Sequence, residues 1–293
     1  MRVTKTILYD TFINDILRRQ EDLLKTSRKL ATGKEINDPS DDPVKADSIL
    51  SSKSMLTSLE QYKRNAESSF SYLGMAEDAL SSAKNVISRL QEITVTMASG
   101  TVDAGARSNA AIEVQNLYNQ LLDIANTKLN DDYIFSGYKT DTITFDSVGT
   151  YGGDTNKYSV QVSPNSTVSI GLNGGEVFAG VGGGTDIFTG VEALITALNA
   201  DDTTNIQAAV GTLDLSFSQV SNSVSDIGGR VGRIQEINNN LEKLAHRTRV
   251  SISGLEDADI AKVISELQIG QVALEAALSS AGKVFNVNIF NYI

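Results

Sequence analysis

The sequence predicts a mainly α fold: long antiparallel helical arms, of coiled-coil or bundle type, carrying a small β-rich inserted domain. Three observations predict it. Apolar residues recur three and four apart near both ends of the chain. Its only prolines are Pro39, Pro43 and Pro164, so long stretches can stay helical. Between about 129 and 211 the composition shifts to glycine and short β-like runs.

The first helix carries a seam of Tyr9, Ile13, Ile16, Gln20, Leu23, Ser27 and Leu30. Such a seam is buried only against another helix. Gly33 should end the helix, since glycine is favoured just past a helix terminus. The polar segment Asn37-Asp38-Pro39-Ser40-Asp41-Asp42-Pro43 then turns the chain. Ser40, Asp41 and Asp42 suit an N-cap, and Pro43 suits the first helical turn.

A second helix follows over about 43–98, roughly 80 Å long at 1.5 Å per residue. Its seam is Leu73, Ala76, Leu80, Ala83, Ile87, Leu90, Thr94 and Met97. So long a helix needs a partner strand. The third helix, about 107–129, has two apolar stripes, Ala110, Val114, Leu117, Leu121, Ile124 and Ala111, Tyr118, Leu122, Ala125, Leu129. Two apolar faces place it between two partners.

Residues 129–211 carry ten acidic residues against two basic ones, Lys139 and Lys157, which marks the segment off from both arms. Tyr158–Val162 and Thr167–Ile170 read as strands about the turn Ser163-Pro164-Asn165-Ser166, and Glu176-Val177-Phe178 as another. A short helix over Val191–Leu198 closes the insertion. The heptads then resume at Leu213, Phe217, Val220, Val224, Ile227, Val231, Ile234, Asn238, Leu241 and Ala245. Gly228, Gly229 and Gly232 interrupt this run, each at a cost up to about 1 kcal/mol relative to Ala. Close approach of a neighbouring helix backbone would explain them; a hinge is the rival. Arg247–Asp259 reads as a break, and a last helix runs to about 286 with the seam Ile260, Ile264, Leu267, Gln271, Leu274, Leu278, Ala281 and Phe285. The apolar terminus, which includes Phe290, suggests burial against something, since chain ends are usually polar and frayed.

Composition narrows the function. The net charge of −11 disfavours nucleic acid and anionic membranes, which call for a basic face. There is no Cys, and the single His246 sits on an apparent helix, so Cys/His zinc sites and Cys nucleophiles are excluded. No catalytic, cofactor or metal residues are expected, and no enzymatic activity. Gly180-Val181-Gly182-Gly183-Gly184-Thr185-Asp186 lacks the Gly-Lys-Ser/Thr of a phosphate loop and reads as a β-turn. The adjacent pairs Asp41-Asp42, Asp131-Asp132 and Asp201-Asp202 point different ways and make poor acid/base couples. No window approaches the length of a membrane span. The N-terminus lacks the pattern of a cleaved signal peptide, which leaves the cytosol or a signal-independent export route.

Leu30-Ala31-Thr32-Gly33-Lys34-Glu35-Ile36-Asn37-Asp38-Pro39-Ser40-Asp41-Asp42-Pro43 resembles the N-terminal signature of bacterial flagellin-like axial proteins, in the form of their hook–filament junction type. Tyr133-Ile134-Phe135-Ser136-Gly137 resembles that family's entry into its outer domain. Glu256-Asp257-Ala258-Asp259-Ile260-Ala261 resembles the start of its C-terminal helix, and Ile289-Phe290-Asn291-Tyr292-Ile293 the aromatic terminus of the junction type. The resemblance covers both arms, roughly 1–137 and 203–293, and leaves the insertion unassigned.

The resemblance implies a structural subunit, secreted through the flagellar type III apparatus to the extracellular flagellum. It would form a ring with copies of itself, above the other junction protein and below flagellin, after release from an export chaperone. A short flagellin forming the filament itself, or an exported helical adhesin, are the alternatives. The expected assembly interface is Tyr9, Ile13, Ile16, Leu23, Leu30, Ile260, Ile264, Leu267, Leu274, Leu278, Phe285 and Phe290. The expected inter-domain turn is Asp38, Pro39, Ser40, Asp41, Asp42 and Pro43. Domains are expected at 1–43 with 252–293 (terminal helices), 44–132 with 203–251 (long helices) and 133–202 (outer insertion).

Overall fold

The computed structural model describes the backbone of residues 2–286 and the side chains of residues 7–283 apart from Leu8. The elements run α1 (Arg2–Thr32), α2 (Pro43–Met97), α3 (Ala104–Ala125), β1 (Lys128–Leu129), β2 (Asp132–Tyr133), β3 (Ser159–Ser163), β4 (Ser166–Ser169), α4 (Gly174–Val177), α5 (Ile187–Asn199), α6 (Thr203–Glu256) and α7 (Ile260–Asn286). The chain divides into two compact units, residues 1–58 with 244–293 and residues 59–243. The division falls inside α2 and α6, whereas the sequence pattern alone places it at the Pro43 turn and at residue 252.

In the 59–243 unit, α2 and α6 pair antiparallel through their seams. Leu73, Ala76, Leu80, Ala83, Ile87 and Leu90 are fully buried, as are Leu213, Val220, Ile227 and Ile234 opposite them. Polar contacts hold one register. Lys63 donates to Glu242 at 2.6 Å, Gln91 to Asp214 at 2.6 Å and Gln207 to the Ala98 carbonyl at 3.4 Å. The polar seam residue Thr94 is also fully buried, and its hydroxyl bonds back to the Leu90 carbonyl at 2.6 Å. It therefore leaves no unmet donor in the interface.

α3 buries both expected stripes: Ala110, Val114 and Leu121 on one, Ala111, Tyr118, Leu122 and Ala125 on the other. Its boundaries lie three to four residues before those expected. Asp103 caps the start by accepting from the Ala106 amide at 2.8 Å. At the end, the Asn126 side chain leaves the helix to exchange two 2.9 Å bonds with the Phe145 backbone. Arg107 is buried and donates to the Met97 and Ser99 carbonyls at 3.0 and 2.9 Å while pairing with Asp201. It thus satisfies carbonyls left open at the end of α2.

The insertion folds around an aromatic cluster. Phe145 lies tilted against Phe188 at 4.9 Å and edge-on to Phe178 at 5.8 Å, and Phe135 meets Phe178 edge-on at 5.4 Å. β3 and β4 form the expected hairpin, with Val160 opposite Val168. Glu176-Val177-Phe178 is not a strand. Asn173 accepts from the Gly175 amide at 2.9 Å and starts the one-turn helix α4 instead. A side chain at Gly174 would stand 2.8 Å from the Phe135 carbonyl, so this close passage requires glycine.

Two further expectations are corrected. The break over Arg247–Asp259 shrinks to Asp257–Asp259, because the apolar spacing carries on through Ala245, Thr248 and Ile252, all buried, and keeps α6 helical past Gly254. The glycines of α6 do not admit a neighbouring helix of this chain. Gly229 and Gly232 have open space around them, and the nearest group to a side chain at Gly228 is Glu77, at 3.8 Å.

Gly229→Ala and Gly232→Ala should therefore each stabilise the free chain by about 0.5–1 kcal/mol, because they remove unfolded-state entropy at no steric cost. Leu80→Ala in the seam should destabilise it by about 2–5 kcal/mol. Urea midpoints at unchanged m-values check both; a destabilising Gly229→Ala would mean that the open face is not open.

Candidate assembly surface

α1 meets no glycine or proline before Gly33, whose φ of +70° ends it. α7 starts where the Asp259 side chain accepts from the amides of Ala261 and Lys262 at 3.0 and 3.2 Å. The two helices pack together within the 1–58/244–293 unit. On α7 the covered stripe is Val263, Leu267, Gly270, Leu274, Ala277 and Ala281, with Val263 and Ala281 buried and the others half-buried. These spacings alternate four and three, a coiled-coil seam. On α1 the covered residues include Tyr9, Phe12, Ile16, Leu23 and Leu30, all half-buried. The helices come close at Gly270, where a side chain would meet Leu23 at 3.2 Å.

Of the expected interface, Tyr9, Ile16, Leu23, Leu30, Leu267 and Leu274 thus lie on the intramolecular contact. Ile13 does not, at 48% exposed, nor do Ile260, Ile264 and Leu278, at 42%, 41% and 49%. The observed stripe on α7 keeps Leu267, Leu274 and Ala281 of the expected seam and adds Val263, Gly270 and Ala277. The small Gly270 and Ala277 let the helix axes approach and leave Ile260, Ile264 and Leu278 on the flank. The side chain of Phe285, and Phe290 altogether, lie outside the described residues.

Exposed apolar residues not singled out from the sequence add to this surface. Leu17 and Leu24 stand on the flank of α1 that carries Ile13; on α7, Ile269 borders the groove against α1 beside Gly270 and Val272 stands on the far side, at 69% and 67% exposed. A second apolar stripe beside each seam is the signal that marks them. Helices apolar on more than one face usually have more than one neighbour.

Of the N-cap candidates in the Asn37–Pro43 turn, Asp41 and Asp42 hold the backbone and Ser40 does not. Asp41 accepts from the Asn37 and Asp38 amides, both at 3.0 Å, and Asp42 caps α2 by accepting from the Lys45 amide at 3.1 Å. Asp38 instead pairs with Arg28 of α1. Hydrogen bonds from the Asp38 and Asn37 amides hold the Asp41 carboxyl below its usual value, and the Lys45 amide does the same for Asp42. Pro39 and Pro43 are exposed and restrict the backbone on either side. Among the described residues no cluster of His, Asp and Glu could hold a metal, and no helix is long and apolar enough to cross a membrane.

Residues 4–140 match the family model of the bacterial flagellin N-terminal helical region. Along its whole length the chain is similar to flagellar hook-associated protein 3 of Salmonella typhimurium, 25% identical over 99% of both chains. The chain is a flagellin-like component of the bacterial flagellum. It is also 23% identical to the flagellin of Listeria monocytogenes over 95% of this chain and 94% of that one. Its fold matches the structure of a hook-associated protein from Vibrio parahaemolyticus described as putative, with a TM-score of 0.69 at 20% identity, over 74% of this chain and all of that one.

Asp41→Ala should loosen the turn between α1 and α2 without unfolding the 59–243 unit. The sign of the pH effect follows from the depressed carboxyl. Its contribution is present above the unfolded carboxylate pKa of about 3.9 and is lost as pH falls through the lower folded value. Amide exchange at Asn37 and Asp38 should therefore accelerate below about pH 4 in the parent and be fast at pH 7 in Asp41→Ala. Equal protection in the two proteins at pH 7 would contradict it.

Proposed function

We propose that this chain is a structural subunit of the hook–filament junction, assembled as a ring through its terminal helices after export through the flagellar type III apparatus. The observation that carries this reading is the apolar surface left on α1 and α7 after they have packed on each other. Burying each such side chain contributes roughly 1.5–3 kcal/mol, so a few of them drive association. Within the ring the partners are other copies of the chain. The other junction protein lies below and flagellin above, and an export chaperone covers the chain before secretion. The site of action is the extracellular flagellum. The full-length similarity to hook-associated protein 3 supports the junction over other axial positions.

A short flagellin forming the filament is the second reading, favoured by the match of residues 4–140 to the flagellin N-terminal region. Gold-labelled antibody on whole flagella separates the two. Label confined to one band between hook and filament is expected, and label along the filament would overturn the junction role.

Ile264→Asp with Leu278→Asp places two carboxylates on exposed positions of the free chain, so the soluble protein should be unchanged in circular dichroism. Burial of those carboxylates in an assembly would cost more than the lost apolar gain. Cells carrying the variant should keep hooks, lose filaments and release flagellin into the medium. Filaments of normal number would show that these residues face solvent in the assembled flagellum.

A further inference from the structure

A carboxylate is among the hardest groups to bury, and among the described residues Glu256 is the one buried acid, 6% exposed. It ends α6. Its side chain is shared by two lysines from different parts of the chain, Lys34 at 2.6 Å from the α1–α2 connector and Lys53 at 2.8 Å from α2. Its backbone is held as well. The Glu35 amide donates to the Glu256 carbonyl at 2.7 Å, and the Ala258 amide donates to the Gly33 carbonyl at 2.9 Å. Lys34 and Asp257 therefore face each other in an isolated antiparallel bridge. Only Asp257, Ala258 and Asp259 separate α6 from α7. The apolar support is small: Ile36, Ala46 and Ile49, with Leu255 against them.

We infer that Glu256 is the positioning residue of the joint from which α7 departs, its carboxylate fastening the α6–α7 connector to the α1–α2 connector and to α2. The carboxylate is buried while both lysines stay about half exposed, so removing the lysines strands a buried charge, whereas removing the carboxylate frees two cations that water can solvate. Here one carboxylate fixes three segments at once and so fixes where α7 starts relative to the end of α1. The other charged groups around the joint have partners or roles of their own. Glu35 pairs with Lys29 of α1, Asp257 accepts from Ser253 and Asp259 caps α7, while Arg249 stands two turns earlier on α6. Burial pushes the Glu256 carboxyl up, and the hydrogen bonds from Lys34 and Lys53 bring it below its usual value. The fastening is therefore complete above the unfolded glutamate pKa of about 4.3 and is lost as pH falls through the lower folded value. The inference concerns the free chain and stands whatever the chain's place in the flagellum.

The test is amide exchange at Glu35 and Ala258, the two donors of the bridge, in the purified full-length chain from pH 7 to pH 3. In Glu256→Gln, protection at both amides should fall about ten- to hundredfold at pH 7, the size expected for hydrogen bonds to a charged group. It should also lose the acid step seen in the parent. Lys34→Met with Lys53→Met leaves the carboxylate buried without cations, so the loss of protection should move to higher pH than in the parent. A purely steric role for residue 256 predicts the same pH profile in the parent and the lysine double variant. Coincident profiles, or parent-like protection in Glu256→Gln, would overturn the assignment.

Discussion

The antiparallel seam between α2 and α6 is the constraint on which the rest of the fold depends. Each helix gains most of its stability from packing one apolar stripe on the other, not from intrinsic propensity. The cross-helix contacts of residue 63 with 242, 91 with 214 and 98 with 207 all belong to one register, so a slip of one residue would break every one of them. With that pair fixed, α3 has a groove to fill, and Arg107 can tie the end of α2 to the turn before α6. The insertion then grows from an anchored base, with Asn126 and the phenylalanine cluster continuing the same core.

The helical arms were legible in the sequence because a heptad pattern is a local property that only one packing satisfies. Leu73 to Leu90 and Leu213 to Ile234 read as seams and are seams. The insertion was legible only in part. The β3–β4 hairpin announces itself through alternation about Ser163–Ser166. Glu176–Phe178 does not, because a capping bond from Asn173 and close passage beside Phe135 outweigh strand propensity there. The run from Arg247 to Asp259 misled for a related reason. Glycine and charge suggest a break, but Thr248 and Ile252 continue a buried stripe that holds the helix together.

At the terminal helices the residue types were readable and the geometry was not. The largest side chains mark where apolar surface exists, whereas the smallest decide which side two helices share. Gly270, Ala277 and Ala281 draw α1 and α7 together, so Ile13, Ile260, Ile264 and Leu278 are left outward. The same division appears at the turn. Asp41 and Asp42 were readable as capping residues of Asn37–Pro43, whereas only geometry tells that Asp41 reaches back to the Asn37 and Asp38 amides and that Asp38 pairs with Arg28. Within the 1–58/244–293 unit, half-buried seams and a small apolar cluster do what a full core does in the other unit.

That contrast can be measured directly by amide hydrogen exchange on the free chain and on the chain within isolated flagella. Residues 73–94 and 213–234 should be slow to exchange in both states. On the proposed assembly role, residues 9–30 and 260–281 should exchange quickly in the free chain and slowly once assembled. Terminal helices as protected in the free chain as the α2/α6 seam would contradict the assignment of those stripes to assembly.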